Sequence, residues 1–232
     1  KLVLYFLILF NFFLSKLALS AGKAIEYPDK NWSFSSIFGT FDKASAQRGF
    51  QVYKEVCAGC HGMRLISYRN LAALGYNQDE LKAIASQFEI TDGPNSDGDM
   101  FTRPARPSDK FVSPYPNDQA ATAANGGAYP PDMSVLVKAR SGGADYIYSL
   151  LVGYEDPPEG ITLDHGVYYN KYMAGNKIKM SNPLSEGIVE YADGTNATEE
   201  QMARDVTTFL SWAAEPHLEE RHKIGFRAII YL

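Results

Sequence analysis

The chain has 232 residues, 45% of them hydrophobic, enough to enclose one sizeable core or one core with insertions. Residues 1–20 carry two lysines and no acid, which leaves 20 basic against 27 acidic side chains in the remainder, a formal charge of −7. That balance argues against nucleic acid as a partner and is compatible with long-range attraction to a basic protein.

In chain order, residues 1–20 form an almost unbroken apolar run after Lys1 and close on the small residues Ala18-Leu19-Ser20. This reads as a secretory signal peptide cut before Ala21, with an uncleaved N-terminal anchor as the alternative. The sequence does not begin with Met, so it reads as a fragment. From Ala21 to Thr40 the chain is irregular, with Pro28, Trp32 and Phe34 as packing anchors. A helix is expected from Ala44 to Val56, because Ala46, Gly49, Phe50, Tyr53 and Cys57 fall on one apolar face. Gly49 costs about 1 kcal/mol there relative to Ala, which makes sense where another helix crosses closely.

That helix delivers the chain's only two cysteines, in Cys57-Ala58-Gly59-Cys60-His61. Two thiols one helical turn apart can each add across a vinyl group of a haem, and the adjacent histidine can then ligate the iron. A structural zinc site needs four ligands, and His165, His217 and His222 lie far off without finger-like spacing. A thioredoxin-like pair would follow a strand in a βαβ unit, whereas a helix precedes Cys57. One covalent haem c is therefore the expected cofactor. Export agrees with it, and both thiols are then used, so no structural disulfide is available.

Asn77 to Glu89 reads as a helix, with Asn77 as N-cap and Glu80 at N3. Residues 90–131, rich in Gly, Pro, Asn and Asp, read as a long irregular insertion. Its acids Glu89, Asp92, Asp97 and Asp99 form a docking patch or a solvated loop. Pro131 suits the first position of a helix over DMSVLVKAR, and Gly142-Gly143 separates this from a second helix over ADYIYSLLVGY. Residues 155–180 turn irregular. The last core helix starts at the capping-box pattern Thr198-Glu199-Glu200-Gln201, carries Met202, Val206, Phe209, Leu210 and Ala213 on one stripe, and ends at Pro216. Residues 223–232 are too few to span a bilayer, which takes about 20, so they are a short helix or the start of an anchor.

The iron's sixth position decides what such a protein does. A methionine closes the site for electron transfer; an open site binds small ligands or does chemistry. Met63 is too near His61, Met202 and Met133 belong to expected helices, and Met100 lies in the insertion. Met180 and Met173 remain, with Met180 favoured because Pro183 would stiffen its loop; an open or His-ligated site is the alternative.

Two terminal helices crossing at a glycine and an aromatic, with CXXCH after the first, resemble the class I cytochrome c fold. Ordered blocks extend the likeness: RGFQVYKEVCAGCH at 48–61, MFTRPARPSD at 100–109, PYPNDQAATAANGGAYPPDMS at 114–134, ARSGGADYIYSLLVGYEDPP at 139–158, YADGTNAT at 191–198 and FLSWAAEP at 209–216. From about residue 27 to 232 the chain resembles the cytochrome c1 family, haem subunits of ubiquinol–cytochrome c reductase.

The resemblance implies a mostly α, class I cytochrome c-like domain over 21–222 and a membrane anchor starting near 223, truncated here. It implies thioethers at Cys57 and Cys60, His61 and Met180 as axial ligands, and a pocket lined by Asn125, Ala128, Pro130, Pro131, Tyr146, Leu150 and Ile178. Arg140 would pair with a propionate. A Rieske iron–sulfur protein would deliver single electrons, a cytochrome c acceptor would remove them, and cytochrome b would be the membrane partner. The haem domain would lie on the periplasmic side of the inner membrane, as an electron-transfer subunit without its own substrate-converting site. A free periplasmic carrier and an open-site haem enzyme or sensor are the rivals. One departure concerns docking: Lys177 and Lys179 flank Ile178, with Lys171 close by, where similar proteins carry small or apolar residues. Three lysines at a haem edge would favour a less basic acceptor or docking on the acidic insertion.

Overall fold

The computed structural model describes residues 25–232, so the leader reading of residues 1–20 lies outside the described residues. Helix α1 (Lys43–Val52) starts at Asp42, whose carboxylate accepts the Ser45 amide and so satisfies one of the orphan donors of a helix start. It runs without a break into one π-helical turn, Tyr53–Cys57, closed by Ala58 N donating to Tyr53 O at 2.8 Å. The helix thus has the expected extent, with a widened last turn that presents the motif.

Its partner is α5 (Glu199–Ala214), whose expected stripe of Met202, Val206, Phe209, Leu210 and Ala213 is buried. Only half of the expected capping box forms. Thr198 accepts the Gln201 amide, but the Gln201 side chain turns forward to the Asp205 carboxylate, at 3.0 Å. The helices cross at Gly49, where an added Cβ would collide with the Asp205 carbonyl oxygen and lie 2.8 Å from Phe209 Cβ. Glycine is needed there for close approach. Phe50 and Tyr53 pack on Phe209 at ring-centroid distances of 5.6 and 5.7 Å. The fully buried Asp205 carboxylate accepts from Ser45 Oγ at 2.7 Å and Arg48 Nε at 2.9 Å. A buried charge persists only when its lone pairs are filled in this way, and these bonds fix the register of the crossing.

Helix α2 (Gln78–Ala85) carries the full Asn77/Glu80 capping box. The insertion after it is more ordered than its composition predicts. Strands β1 (Glu89–Asp92) and β2 (Phe101–Pro104) pair antiparallel, Glu89 opposite Pro104, and α3 (Asp118–Ala124) follows. Four-residue strands with little burial give no hydrophobic alternation to read. Arg103 anchors the hairpin by pairing with Asp92 and, at 2.7 Å, with Asp109, and its guanidinium holds both carboxyls below the usual range. Asp92 is therefore committed locally, while Glu89, Asp97 and Asp99 stay exposed.

The expected helix from Pro131 does not form; the segment 131–141 is a run of turns. The physical reason is tertiary competition for its backbone and capping groups. Met133 N donates to Gly62 O at 2.8 Å, Asp132 accepts the amides of Arg64 and Ser134, and Ser134 Oγ accepts that of Leu65. Short polar side chains offer the chain this alternative to a helical ladder. Helix α4 (Gly143–Val152) then packs on α5, and β3 (Tyr168–Tyr169) pairs antiparallel with β4 (Lys177–Ile178). Helix α6 (Leu218–Tyr231) closes the chain with Ile224, Phe226, Ile229 and Ile230 exposed. Among the described residues, no helix is long and apolar enough to cross a membrane.

Candidate haem site

The widened turn leaves Cys57 buried and Cys60 exposed, with Cys60 N and His61 N both donating to Cys57 O, at 3.1 and 2.9 Å. Burial pushes the Cys57 thiol up to about 12, so it is held as a neutral, apolar sulfur, which a thioether also is. The Tyr53 hydroxyl donates to the His61 carbonyl oxygen at 3.3 Å, tying the motif back to the core helix.

His61 Nδ1 lies 2.9 Å from the Pro131 carbonyl oxygen. A carbonyl only accepts, so Nδ1 carries the hydrogen and Nε2 keeps its lone pair. Burial lowers the imidazole's affinity for protons against the smaller opposing effect of the Pro131 bond, which also orients the neutral ring. A neutral histidine, oriented by a carbonyl on its other nitrogen, is the form that ligates a metal. These donors fit a covalently held haem.

Pro131 is placed by the turns that replaced the expected helix, so the missing helix and this contact share one cause. Immediately before it, the Asn125 amide donates to Ala121 O at 2.7 Å and to Tyr115 OH, and Ala128 N closes a turn onto Asn125 O. Pro130 lines a cleft of about 170 Å³ shared with Cys60, Tyr115 and Asp132. On the other side of that loop, Lys179 Nζ donates to Gly126 O at 2.9 Å, joining the Asn125–Ala128 segment to the residue before Met180.

Met180 is partly buried, and its carbonyl accepts from the Tyr154 hydroxyl at 3.0 Å. Burial pushes the Tyr154 phenol up, keeping it a donor. Asn170, fully buried, is the hub beneath: its amide donates to Leu150 O at 2.8 Å, and its side-chain oxygen accepts the Tyr172 amide at 3.0 Å. Its backbone N donates to Asn176 O at 3.1 Å. Leu150 is thereby linked to the hairpin that carries Ile178. Tyr146, one α4 turn earlier, donates to Met173 Sδ at 3.8 Å, so Met173 is engaged beside α4. Arg140 is exposed beside Tyr146 and donates to Ala139 O. Sequence reasoning missed Tyr154 and Asn170. A buried asparagine between tyrosines has no spacing signal, though the aromatic density of YYNKYM at 168–173 was visible.

The three lysines each have a local partner: Lys171 pairs with Glu155 at 3.3 Å, Lys177 donates to Thr162 O and Lys179 to Gly126 O. They brace the loop as well as charge it.

A helix crossing at a glycine, with CXXCH on the widened turn and its histidine oriented by a proline carbonyl, defines the c-type cytochrome class. The relatives are narrower. The Cytochrome C1 family profile matches residues 32–232. The chain is 50% identical over 212 residues to "Cytochrome c1-2, heme protein, mitochondrial" of Solanum tuberosum, covering 91% of this chain and 82% of that protein. It is 46% identical over 219 residues to "Cytochrome c1" of Rhodospirillum rubrum, covering 88% and 80%. Over 214 residues it is 49% identical to "Cytochrome b-c1 complex catalytic subunit, mitochondrial" of Candida albicans, covering 92% and 74%. The chain belongs to the cytochrome c1 family.

Proposed function

We propose that the chain is the electron-transfer haem c subunit of a quinol–cytochrome c oxidoreductase, receiving single electrons from a Rieske iron–sulfur protein and passing them to a cytochrome c acceptor. The carrying observation is the His61–Pro131 contact, which leaves Nε2 as a fixed, neutral donor beside two cysteines. A haem bound there supplies reversible one-electron redox chemistry. Cys57 and Cys60 would hold it covalently, and His61 and Met180 would ligate its iron. Asn125, Ala128, Pro130, Pro131, Tyr146, Leu150 and Ile178 exclude water, and Arg140 offers a cation to a propionate. With His61 and Met180 both engaged, the group would be closed to small ligands, which suits an electron relay without a substrate-converting site of its own.

With a leader over 1–20, the haem domain over 21–222 and an anchor starting at 223, the subunit sits on the periplasmic side of an inner membrane, beside cytochrome b. The name of the Candida relative, a subunit of a mitochondrial cytochrome b-c1 complex, supports the place beside cytochrome b. The exposed apolar residues of α6 from Ile224 onward support the anchor.

Carbon monoxide added to the reduced, haem-loaded protein tests the closed site. The parent spectrum is expected to stay unchanged, while Met180→Ala binds the gas. A parent that binds carbon monoxide itself would remove the electron-relay reading in favour of an open-site enzyme or sensor.

A further inference from the structure

The loop before α1 has no part in the haem site, yet it presents two large apolar side chains to solvent: Ile37 is 80% and Phe38 70% exposed. The loop is not slack. Ser35 N donates to Trp32 O, Gly39 N to Ser36 O and Thr40 N to Ser33 O, all within 3.2 Å. A Cβ at Gly39 would lie 2.6 Å from the Phe34 backbone, so the turn closes tightly on itself. The loop is also pinned to α6. Phe38 meets Phe226 edge-on with centroids 5.6 Å apart, His222 Nδ1 donates to Gly39 O at 3.3 Å, and Phe41 N donates to Glu219 Oε1 at 3.0 Å.

These contacts set the level of the tip along α6. At 1.5 Å rise per residue, Phe226 stands about 3 Å beyond Ile224, the first exposed apolar residue, and one turn short of Ile230. Lys223 and Arg227, an exposed i, i+4 pair, stand together on the side of the helix next to Phe226. One level of the molecule therefore carries exposed Ile and Phe, a second Phe, and two long cations. This is the composition that sits at a bilayer surface, with rings among the headgroups and cations reaching the phosphates.

We propose that the Ile37–Phe38 tip is a second membrane contact, a preformed foot inserted in the lipid interface beside α6. The proposal rests on the reading of α6 as the start of an anchor. A fluid lipid surface suits the tip because two side chains on a narrow turn make a wedge, whereas a protein partner needs a broad complementary face of about 1,000 Å² or more. Pinning the loop in advance removes most of the ordering cost of insertion. The foot would fix the tilt of the haem domain against the membrane.

The test is partitioning of the haem-loaded chain onto vesicles of phosphatidylcholine mixed with anionic phospholipid, read by co-sedimentation for the parent, I37S/F38S and I229S/I230S. The tip variant is expected to partition about ten- to a hundredfold more weakly at unchanged haem spectrum and melting temperature. In Phe38→Trp, which keeps a ring on Phe226, the introduced indole is expected to be quenched by brominated lipid in the same vesicles. If I229S/I230S loses binding while I37S/F38S does not, and the indole stays unquenched, the foot is wrong and the anchor reading stands. If the parent does not bind vesicles at all, both fall. If I37S/F38S keeps vesicle binding but loses association with cytochrome b, the tip is a protein contact and the proposal is overturned.

Discussion

His61 and Met180, the proposed axial ligands, sit on two walls that are built in different ways. On the His61 side, the motif leaves the core directly: Cys57 is buried, the rings of Tyr53 and Phe209 stand against each other, and α1 meets α5 at backbone distance through Gly49. On the Met180 side, the segment alternates exposed and half-buried residues, and its ties are hydrogen bonds from Tyr154, Asn170 and Lys179. Burial of apolar surface fixes the first wall with the global stability of the domain. Hydrogen bonds worth about 1 kcal/mol net each fix the second, so it is expected to open locally before the rest unfolds. Under the proposed ligation, His61 is expected to stay in place for as long as the domain is folded, and Met180 to be held less firmly.

The largest break in this contrast is Phe209→Ala. Removing a fully buried ring from the crossing is expected to cost about 3–5 kcal/mol and to unfold both walls together in a denaturant titration followed by circular dichroism. A variant that lost the distal wall alone would contradict the core assignment.

Asn170→Leu strikes the other wall. It leaves Leu150 O and the Tyr172 amide without partners, each costing about 1–3 kcal/mol when buried. Amides of residues 168–180 are expected to exchange faster while those of α1 and α5 keep their protection. Uniform loss of protection would show that the hub supports the whole fold.

Tyr154→Phe is the smallest and sharpest change. It removes one bond, worth about 1 kcal/mol, to the Met180 carbonyl and keeps the ring. In the haem-loaded, reduced protein, carbon monoxide is expected to bind severalfold faster than in the parent and far more slowly than in Met180→Ala. Parent-like binding would mean that the loop is held by other contacts.

Much of this was legible in the chain. Cys57-Ala58-Gly59-Cys60-His61, the apolar stripe of α5 and the expensive Gly49 announce a helix crossing that delivers a haem motif, because burial and periodicity are local properties of sequence. The position before Pro183 favoured Met180 over Met173, and the family likeness implied Met180 again together with the pocket residues. The order of the insertion was not legible, since strands as short and exposed as β1 and β2 leave no alternation. Nor was the failure of a helix after Pro131, where Asp132 and Ser134 spend their hydrogen bonds on Arg64, Leu65 and each other.

By itself the sequence determined the chemistry available: two thiols, a histidine after them, methionines downstream, and helices whose faces must be buried. Only the tertiary structure decided which groups complete it. The Pro131 carbonyl meets His61 from 70 residues away, and Tyr154 meets Met180 from 26. Such contacts are set by where the packed helices bring separate loops together, and a hydrogen bond between remote residues leaves no periodicity in the chain from which it could be read.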